Sequence, residues 1–293
     1  MSRLLLARRA TRRASGARLS KLSTFMLLDG ALLHGTSIHD RVLEQPEIRL
    51  LYEDQGPLAA RVGPLLLPEH QEISLWLNQL ASTRQDVAFA YSLLRTPSGI
   101  GQVLEHLQRL RFIHARSGKR YYFRFADGRA FASVWEALSI AQCDAVLGPV
   151  QAWHHHDAAG KERCVRTSGI SQASIDEALP LQLEPKQWHQ VLRTARISDL
   201  FHAASNSDYG PQAQGSHAQR YAWTVQIHDR LQRLQIVEPA VQVAATRVVW
   251  RTAGRLLGDQ IFEAALKKAD SGVDIRSVFA FGQTTSFPRI RRT

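Results

Sequence analysis

Short apolar runs in the first half of the chain have the length and the boundaries that are typical of β-strands. Most of them are bounded by Gly, Pro, Asp-Gly or Gly-Pro, which are turn signals. The runs are residues 25–33, 48–54, 63–70, 86–94 and 150–153. Residues 111–125 add two β-rich arms around Ser-Gly, a pattern that predicts a β-hairpin.

Two segments of the same half repeat their apolar residues at the spacing of an amphipathic helix. The first carries Ile100, Val103, Leu104, Leu107 and Leu110, and Ser98 stands where an N-cap would be. The second carries Phe131, Val134, Trp135 and Leu138. These segments alternate with the apolar runs, which indicates a lobe built from a short-stranded sheet and flanking helices.

From residue 184 onward the pattern becomes helical throughout. Pro185 suits a first helical position, apolar residues recur at helical spacing around Trp188 and Trp223, and residues 243–257 predict one further helix. We therefore predict an α/β (α+β) N-terminal lobe with a short-stranded mixed sheet, followed by an all-α C-terminal lobe. The predicted divisions are a basic disordered tail 1–24, the α/β lobe 25–156, a connection 157–183, the helical lobe 184–285 and a basic tail 286–293.

The positive charge is concentrated at the two ends of the chain. The 293 residues have a net charge of +11, of which seven charges lie in residues 1–21 and three more come from Arg289, Arg291 and Arg292. The body between the tails therefore carries a net charge of about +1, which argues against a nucleic-acid-binding fold. Basic tails that attract a polyanion remain an alternative function.

The basic first twenty residues contain no acid, like a transit peptide, although a disordered tail or an upstream start is the alternative. No run of 18 apolar residues occurs, so a membrane-spanning helix is not expected. Two cysteines cannot form a disulfide framework, and free thiols are expected.

The stretch Tyr-Tyr-Phe-Arg-Phe-Ala-Asp-Gly-Arg, residues 121–129, concentrates aromatic and charged residues just before a predicted helix. In a strand, Tyr121, Phe123 and Phe125 share one face, which predicts that they belong to the core. Asp127 stands where a helix N-cap is expected, between two arginines that could pair with it. We interpret the stretch as a strand-to-helix joint, since no second carboxylate or base is visible nearby to support catalysis.

Several short motifs occur in a fixed order along residues 25–155. They are Asp29 and Gly30 in Leu-Asp-Gly, His106, Leu107 and Leu110 in His-Leu-x-x-Leu, Arg124, Phe125, Asp127 and Arg129 in one signature, and Gly148, Pro149 and Trp153 in the last. In this order they resemble the type VI secretion effector adaptor (chaperone) domain, a family first described as a domain of unknown function. Ala126 and Gly128 depart from that family's Tyr and Pro.

The resemblance implies a non-enzymatic bacterial adaptor of the cytoplasm. Such adaptors bind a secreted effector toxin and load it onto the VgrG spike protein, and their variable C-terminal lobe is thought to help choose the cargo. The resemblance implies no catalytic residue, no cofactor, no metal, no nucleic acid and no membrane partner.

Three other residue groups suggest chemistry of their own. His154, His155, His156 and Asp157 could suggest a metal, but no zinc motif accompanies them, and a solvated loop is the default interpretation. Cys143 or Cys164 beside a histidine would make a nucleophilic pair and hence a thiol hydrolase, although no family-specific sequence surrounds either cysteine.

The third group is Arg247, Arg251 and Arg255, which recur at every fourth position. On one helix they would form a positive stripe of about three turns. Such a stripe has two interpretations. It is a solvated helix face, or it is a candidate partner-binding surface at which acidic cargo docks.

Overall fold

The computed structural model describes residues 22–168, 178–206, 213–272, 278–279 and 281. Both predicted tails therefore lie outside the described residues, apart from positions 22–24. Among the described residues, no helix combines the length and the apolar character needed to cross a lipid bilayer.

The N-terminal lobe is built on a six-stranded antiparallel sheet with the strand order β2-β3-β1-β4-β7-β8. Its strands are β1 Ser23–Asp29, β2 Arg49–Leu50, β3 Pro64–Pro68, β4 Tyr91–Thr96, β7 Ala152–His156 and β8 Glu162–Arg166. A second sheet has the order β6-β5-β9, with β5 Phe112–Ala115, β6 Arg120–Tyr122 and β9 Gln182–Leu183. Only the pairing of β5 with β9 is parallel among the described strands, so the mixed character is confined to the small sheet.

The central strand β1 is buried on both faces, because helices cover both sides of the large sheet. Met26 and Leu28 belong to one apolar core, and Phe25 and Leu27 belong to another on the opposite face. This is why β1 reads as a continuous apolar run rather than as an alternation.

Seven helices accompany the two sheets in the described part of this lobe. They are α1 Gly30–Leu33, α2 Ser37–Leu43, α3 Pro57–Val62, α4 Gln71–Thr83, α5 Ile100–Arg109, α6 Gly128–Trp135 and α7 Ile140–Leu147. Short 3₁₀ helices occupy Glu53–Gln55 and Gln85–Phe89, so the strand expected at 86–94 is confirmed only from Tyr91. Helix α5 follows Gly99 without a side-chain cap, so the N-cap expected at Ser98 is wrong.

The segment 157–183, expected to connect the lobes, contributes strands to both sheets of the N-terminal lobe. Strand β8 extends the large sheet beside β7, and β9 lies beside β5. The chain therefore leaves the N-terminal lobe just before Pro185.

The C-terminal lobe contains helices only in its described residues. They are α8 Pro185–Ser205, α9 His217–Arg233, α10 Pro239–Arg251 and α11 Gln260–Asp270. Their shared core includes Ile227, Leu231, Val248, Phe262 and Leu266. An α/β (α+β) lobe followed by an all-α lobe is thus confirmed, and α8 joins the two by packing against α6 as well as against α9 and α10.

Candidate functional site

The joint between β6 and α6 is held by Asp127, which is 3% exposed. Its Oδ1 accepts a hydrogen bond from the Arg129 backbone N–H at 3.0 Å, so Asp127 is the N-cap of α6. The Arg129 guanidinium donates to both carboxylate oxygens, at 3.0 and 2.8 Å. The predicted cap and the predicted charge pair with Arg129 are both confirmed.

Arg124 pairs mainly with a carboxylate that is far away in the sequence. Its Nη2 lies 3.0 Å from Oδ2 of Asp29 and 3.7 Å from Oδ2 of Asp127. Asp29 is itself the N-cap of α1, because its Oδ1 accepts from the Leu32 backbone N–H at 3.0 Å. The Leu-Asp-Gly motif and the Arg-Phe-x-Asp-x-Arg motif therefore meet at one cluster of charges, whose two carboxylates are buried.

Burial opposes the charge on the Arg129 guanidinium, but its hydrogen bonds and attraction to Asp127 raise its pKa above the ordinary arginine value. The arginine stays protonated, and the carboxylate beside it already accepts three hydrogen bonds. A carboxylate used in this way stabilises the joint and is a poor base for catalysis.

Two glycines of the ordered motifs allow elements to pack at backbone distance. A Cβ at Gly128 would overlap the carbonyl oxygen of His156, so α6 reaches β7 only because the residue is glycine. Gly148 has φ +52°, and a Cβ there would overlap the ring of His106. His106 in turn donates from Nε2 to the Val146 carbonyl at 2.9 Å. The His-Leu-x-x-Leu and Gly-Pro motifs thus meet as directly as the other two do.

The remaining motif residues form the core beneath the joint. Leu107, Phe125 and Trp153 are fully buried, and the Trp153 ring stacks on Phe131 with centroids 4.3 Å apart. Pro149 accepts a hydrogen bond from the Thr96 hydroxyl at 2.6 Å. The motif residues therefore position the elements around the joint.

The expectation that Tyr121 belongs to the core with Phe123 and Phe125 is wrong. Strand β6 ends at Tyr122, and Tyr121 and Tyr122 are 46% and 60% exposed, whereas Phe123 and Phe125 are buried. The chain leaves the strand geometry after Tyr122, so the alternation of faces does not continue across the whole stretch. Tyr121 instead packs edge to face on Trp188 of α8, with centroids 4.8 Å apart.

These two tyrosines line a cavity of about 510 Å³ between the lobes, which we call the interlobe groove. Its walls are the joint on one side and α8 on the other. The lining includes Tyr121, Tyr122, Arg124, Asp127, Arg129, Ser133, Trp188, Val191, Ser198 and His202. Sequence reasoning missed the α8 residues, although Trp188, Val191 and Ala195 at helical spacing did mark that face as apolar.

Two buried polar atoms of the interlobe groove have no hydrogen-bond partner among the described residues. They are the Ser133 hydroxyl and the indole Nε1 of Trp188. Buried polar groups are almost always paired, so two unpaired ones in the walls of one groove are unusual. With exposed tyrosines and arginines beside them, the groove has the residue types that dominate protein–protein binding energy.

The histidine cluster lies on a strand, so the solvated loop expected for it is wrong. His154, His155 and His156 are the last residues of β7, and His155 is buried while its neighbours face the other side. Burial lowers the pKa of His155 to about 4. Among the described residues, no group of three potential ligands could hold a metal ion.

One of the two cysteines lies beside a histidine. Cys164 on β8 is exposed, and its Sγ is 3.6 Å from Nε2 of His154 on the neighbouring strand. Nδ1 of His154 is 3.8 Å from a Glu162 carboxylate oxygen. Burial, and next the charge of Asp144, raise the pKa of Cys143 to about 11, so that thiol is protonated at neutral pH.

The three-turn arginine stripe expected in the C-terminal lobe is wrong. Helix α10 ends at Arg251, because Ala253 and Gly254 have positive φ angles, and Arg255 lies in the turns that follow. Arg247 donates to the Ala204 carbonyl at 2.9 Å, and Arg255 donates to the Thr252 carbonyl at 3.0 Å. These arginines do not continue along one helix, and at least two of them hold neighbouring backbone in place.

Residues 24–145 match the model of a family described as a domain of unknown function (DUF4123). The matched segment runs from β1 into α7, which is most of the region in which the ordered motifs occur. Gly148, Pro149 and Trp153 and the helical lobe lie beyond it. Searches of curated proteins and of solved structures gave no match to the chain.

Proposed function

We propose that the protein is a non-catalytic adaptor that binds a secreted effector toxin in the bacterial cytoplasm and loads it onto the VgrG spike of a type VI secretion system. The observation that carries this proposal is the use of the motif residues. Asp29, Arg124, Asp127 and Arg129 join structural elements to one another, and the groove beside them is lined by exposed aromatic and cationic side chains. Such a surface suits binding of a protein better than chemistry on a small molecule.

Two lobes of different construction support a bivalent mechanism. An adaptor that holds cargo on one surface and the spike on another converts the second binding event into an intramolecular one. The interlobe groove includes residues of both lobes, so an occupant of it would contact both. We propose the interlobe groove as one of the two partner surfaces.

The test is co-expression of the chain with candidate effector toxin and spike genes from the same genome, followed by co-purification. We expect a stable complex with the effector, with the spike or with both. Replacing Tyr121 and Tyr122 together by Ala should weaken one of these complexes at least tenfold, since exposed aromatic anchors typically contribute 1–2 kcal/mol or more each.

The matched control is Ile261→Ala on α11, where the side chain is 73% exposed and far from the joint in the chain. It removes exposed apolar area without touching the interlobe groove. Absence of any complex with effector or spike would overturn the adaptor proposal. A complex that the tyrosine variant forms as well as wild type would remove the groove as its surface.

A second candidate function, a thiol hydrolase, is favoured by the line of Cys164, His154 and Glu162 on the outer strands. A histidine between a thiol and a carboxylate is the arrangement that activates a cysteine nucleophile. We rank it second because the side chains of Cys164 and Glu162 are exposed at the edge of a sheet, where little excludes water. Esterase or peptidase activity that disappears in Cys164→Ser would support it.

The nucleic-acid alternative depends on the two basic tails. A chain of residues 22–288 lacks all seven basic residues of positions 1–21 and the three C-terminal arginines. If only the tails bind, DNA affinity of the full chain should fall steeply with salt and should be lost in the shortened chain. Sequence-selective binding by the shortened chain would instead favour this class over the adaptor.

A further inference from the structure

Helix α8 has a second face that lines other cavities, and Asp199 lies at the boundary because it lines both the interlobe groove and one of these cavities. Trp188, Val191 and Ala195 belong to the interlobe groove, whereas Leu192 and Arg196 line a different cavity. This cavity lies between α8 and α9 and has a volume of about 520 Å³. It adjoins another of about 500 Å³, with which it shares Arg196, His228 and Gln232. We call the two together the lateral groove.

The lateral groove runs along α8 from His189 to Ala203, which is about 21 Å of helix. Its exposed apolar residues are Leu192, 47% exposed, and Val237, 76% exposed. Each part of the groove thus offers one exposed apolar side chain that an occupant could cover.

The part of the groove around Leu192 carries an excess of positive charge. Arg193, Arg196 and Arg233 line it, against one carboxylate, Asp229; the adjoining cavity adds Asp199, so the whole groove has three arginines and two carboxylates. Asp229 is already paired, since Arg193 donates to both of its oxygens at 2.7 Å. Among the described residues, Arg196 and Arg233 form no ion pair, so their charges remain available to an occupant.

An independent observation also points to a ligand at this place. His228 is 5% exposed, lies in the walls of both cavities, and has no hydrogen-bond partner for its Nε2 among the described residues. Its Nδ1 faces Asp229 at 3.5 Å, which leaves Nε2 for another group. A buried ring nitrogen without a partner costs free energy that an occupant would recover by hydrogen bonding.

We propose that the lateral groove binds an acidic amphipathic helix of a protein partner. Its apolar residues would cover Leu192 and Val237, and its carboxylates would meet Arg196 and Arg233. Along α8, the groove residues His189, Arg193, Arg196, Asp199 and Ala203 follow one another at intervals of three and four, which is the spacing that a second helix matches. The tails of this chain are basic and have the wrong charge for the site. Only the identity of the partner as effector cargo rests on the proposed adaptor function.

The test uses a synthetic probe and does not require the effector. A fluorescein-labelled peptide of about 16 residues carries Leu at positions i, i+3, i+7 and i+10 and Glu beside them, and its matched control has Lys for every Glu. Anisotropy is measured with the full chain. We expect the Glu peptide to bind with a Kd below about 100 μM and to weaken as salt rises, and the Lys peptide to bind at least tenfold more weakly.

Two exposed positions supply variants that should fold normally. Arg196→Glu and Leu192→Asp should each weaken the Glu peptide at least tenfold, because one reverses an unpaired charge and the other places a carboxylate among the apolar contacts. Arg166→Glu makes the same charge change on an exposed residue of β8 and should leave the affinity unchanged. Circular dichroism and the unfolding midpoint check that each variant is folded.

Equal binding of the Glu and Lys peptides, or equal affinity of wild type and Arg196→Glu, would overturn the inference. So would the absence of measurable binding of the Glu peptide at 1 mM, which corresponds to only about −4 kcal/mol. If effector co-purifies but Arg196→Glu retains it fully, the lateral groove does not hold the cargo although the adaptor function stands. If the peptide binds as expected and no effector co-purifies, the adaptor function fails and the binding site remains.

Discussion

Arg124 and Asp29 are 95 positions apart in the chain and form an ion pair with 3.0 Å between Nη2 and Oδ2. The pair joins the end of β1 to the strand-to-helix joint at Asp127. Asp29 is nearly buried, and Arg124 is about half exposed. Because the Arg124 end is open to solvent, water screens the attraction, so the contact marks where the two elements meet and contributes only modestly to stability.

Replacing Asp29 by Ala should therefore destabilise the fold more than replacing Arg124 by Ala. Asp29→Ala removes both the N-cap of α1 and the acceptor of Arg124, with an expected loss of about 1–3 kcal/mol in the free energy of unfolding. Arg124→Ala removes a half-exposed partner and should cost about 1 kcal/mol or less. Urea unfolding of both single variants and the double variant measures the coupling. A coupling near zero would show that the ion pair contributes nothing to stability.

The contact between Gly148 and His106 gives a prediction with a control inside the same lobe. Gly148→Ala places a methyl group against the His106 ring at a positive φ, and we expect a loss of at least 2 kcal/mol or failure to fold. Gly101 lies in α5, and a Cβ there meets open space. Gly101→Ala should be neutral or stabilise the protein by up to about 1 kcal/mol. Thermal unfolding distinguishes the two, and similar midpoints for both variants would contradict the assigned role of Gly148.

Local relationships were predictable from the sequence, and distant ones were not. The cap that Asp127 provides involves a residue two positions away, so its type and place in the pattern were sufficient to predict it. The pairing of Arg124 with Asp29 depends on the order of strands in the sheet, which no local pattern contains. The helical spacing of apolar and basic residues predicts that Arg255 belongs to α10, yet the backbone takes positive φ angles at Ala253 and Gly254.

In the candidate site, too, local features were predictable from the sequence and contacts between distant segments were not. The stretch 121–129 identified one wall of the interlobe groove, but the exposure of Tyr121 and Tyr122 follows from the early end of β6. The opposite wall belongs to α8, which the sequence marked only as a helix with an apolar face. Which face meets the N-terminal lobe is decided by the packing of α8 against α6.

Burial of His155 makes stability depend on pH over a defined range. Its pKa is lowered from 6.5 to about 4 in the folded protein, chiefly by desolvation, so the unfolded chain takes up the proton first as the pH falls. The free energy of unfolding should therefore decrease as the pH falls from about 6.5 to about 4, by at most about 1.4 kcal/mol per pH unit from this residue.

The variant that checks this is His155→Leu, compared with wild type by urea unfolding between pH 7 and pH 4.5. We expect a shallower dependence on pH in the variant whatever its stability at pH 7. Some dependence should remain, because burial also lowers the pKa of His217 and of His228. His189→Gln on the exposed surface is the control. Parallel curves for wild type and His155→Leu would show that His155 is not the group that titrates.

The two thiols should differ sharply in their reaction with a thiol reagent. Cys164 is exposed on β8 beside His154, whereas Cys143 is half-buried in α7 with its pKa raised to about 11. At pH 8 only about one Cys143 in a thousand is a thiolate, and the thiolate is the reactive form. The native protein should therefore release about one equivalent of thionitrobenzoate rapidly from Ellman's reagent, and a second only on unfolding.

Cys164→Ser should abolish the rapid phase, and Cys143→Ser should leave it intact. A rapid phase that persists in Cys164→Ser would mean that α7 opens readily to solvent. If His154→Ala slows the rapid phase tenfold or more, the imidazole assists the thiol, and the hydrolase candidate gains support over a merely accessible cysteine.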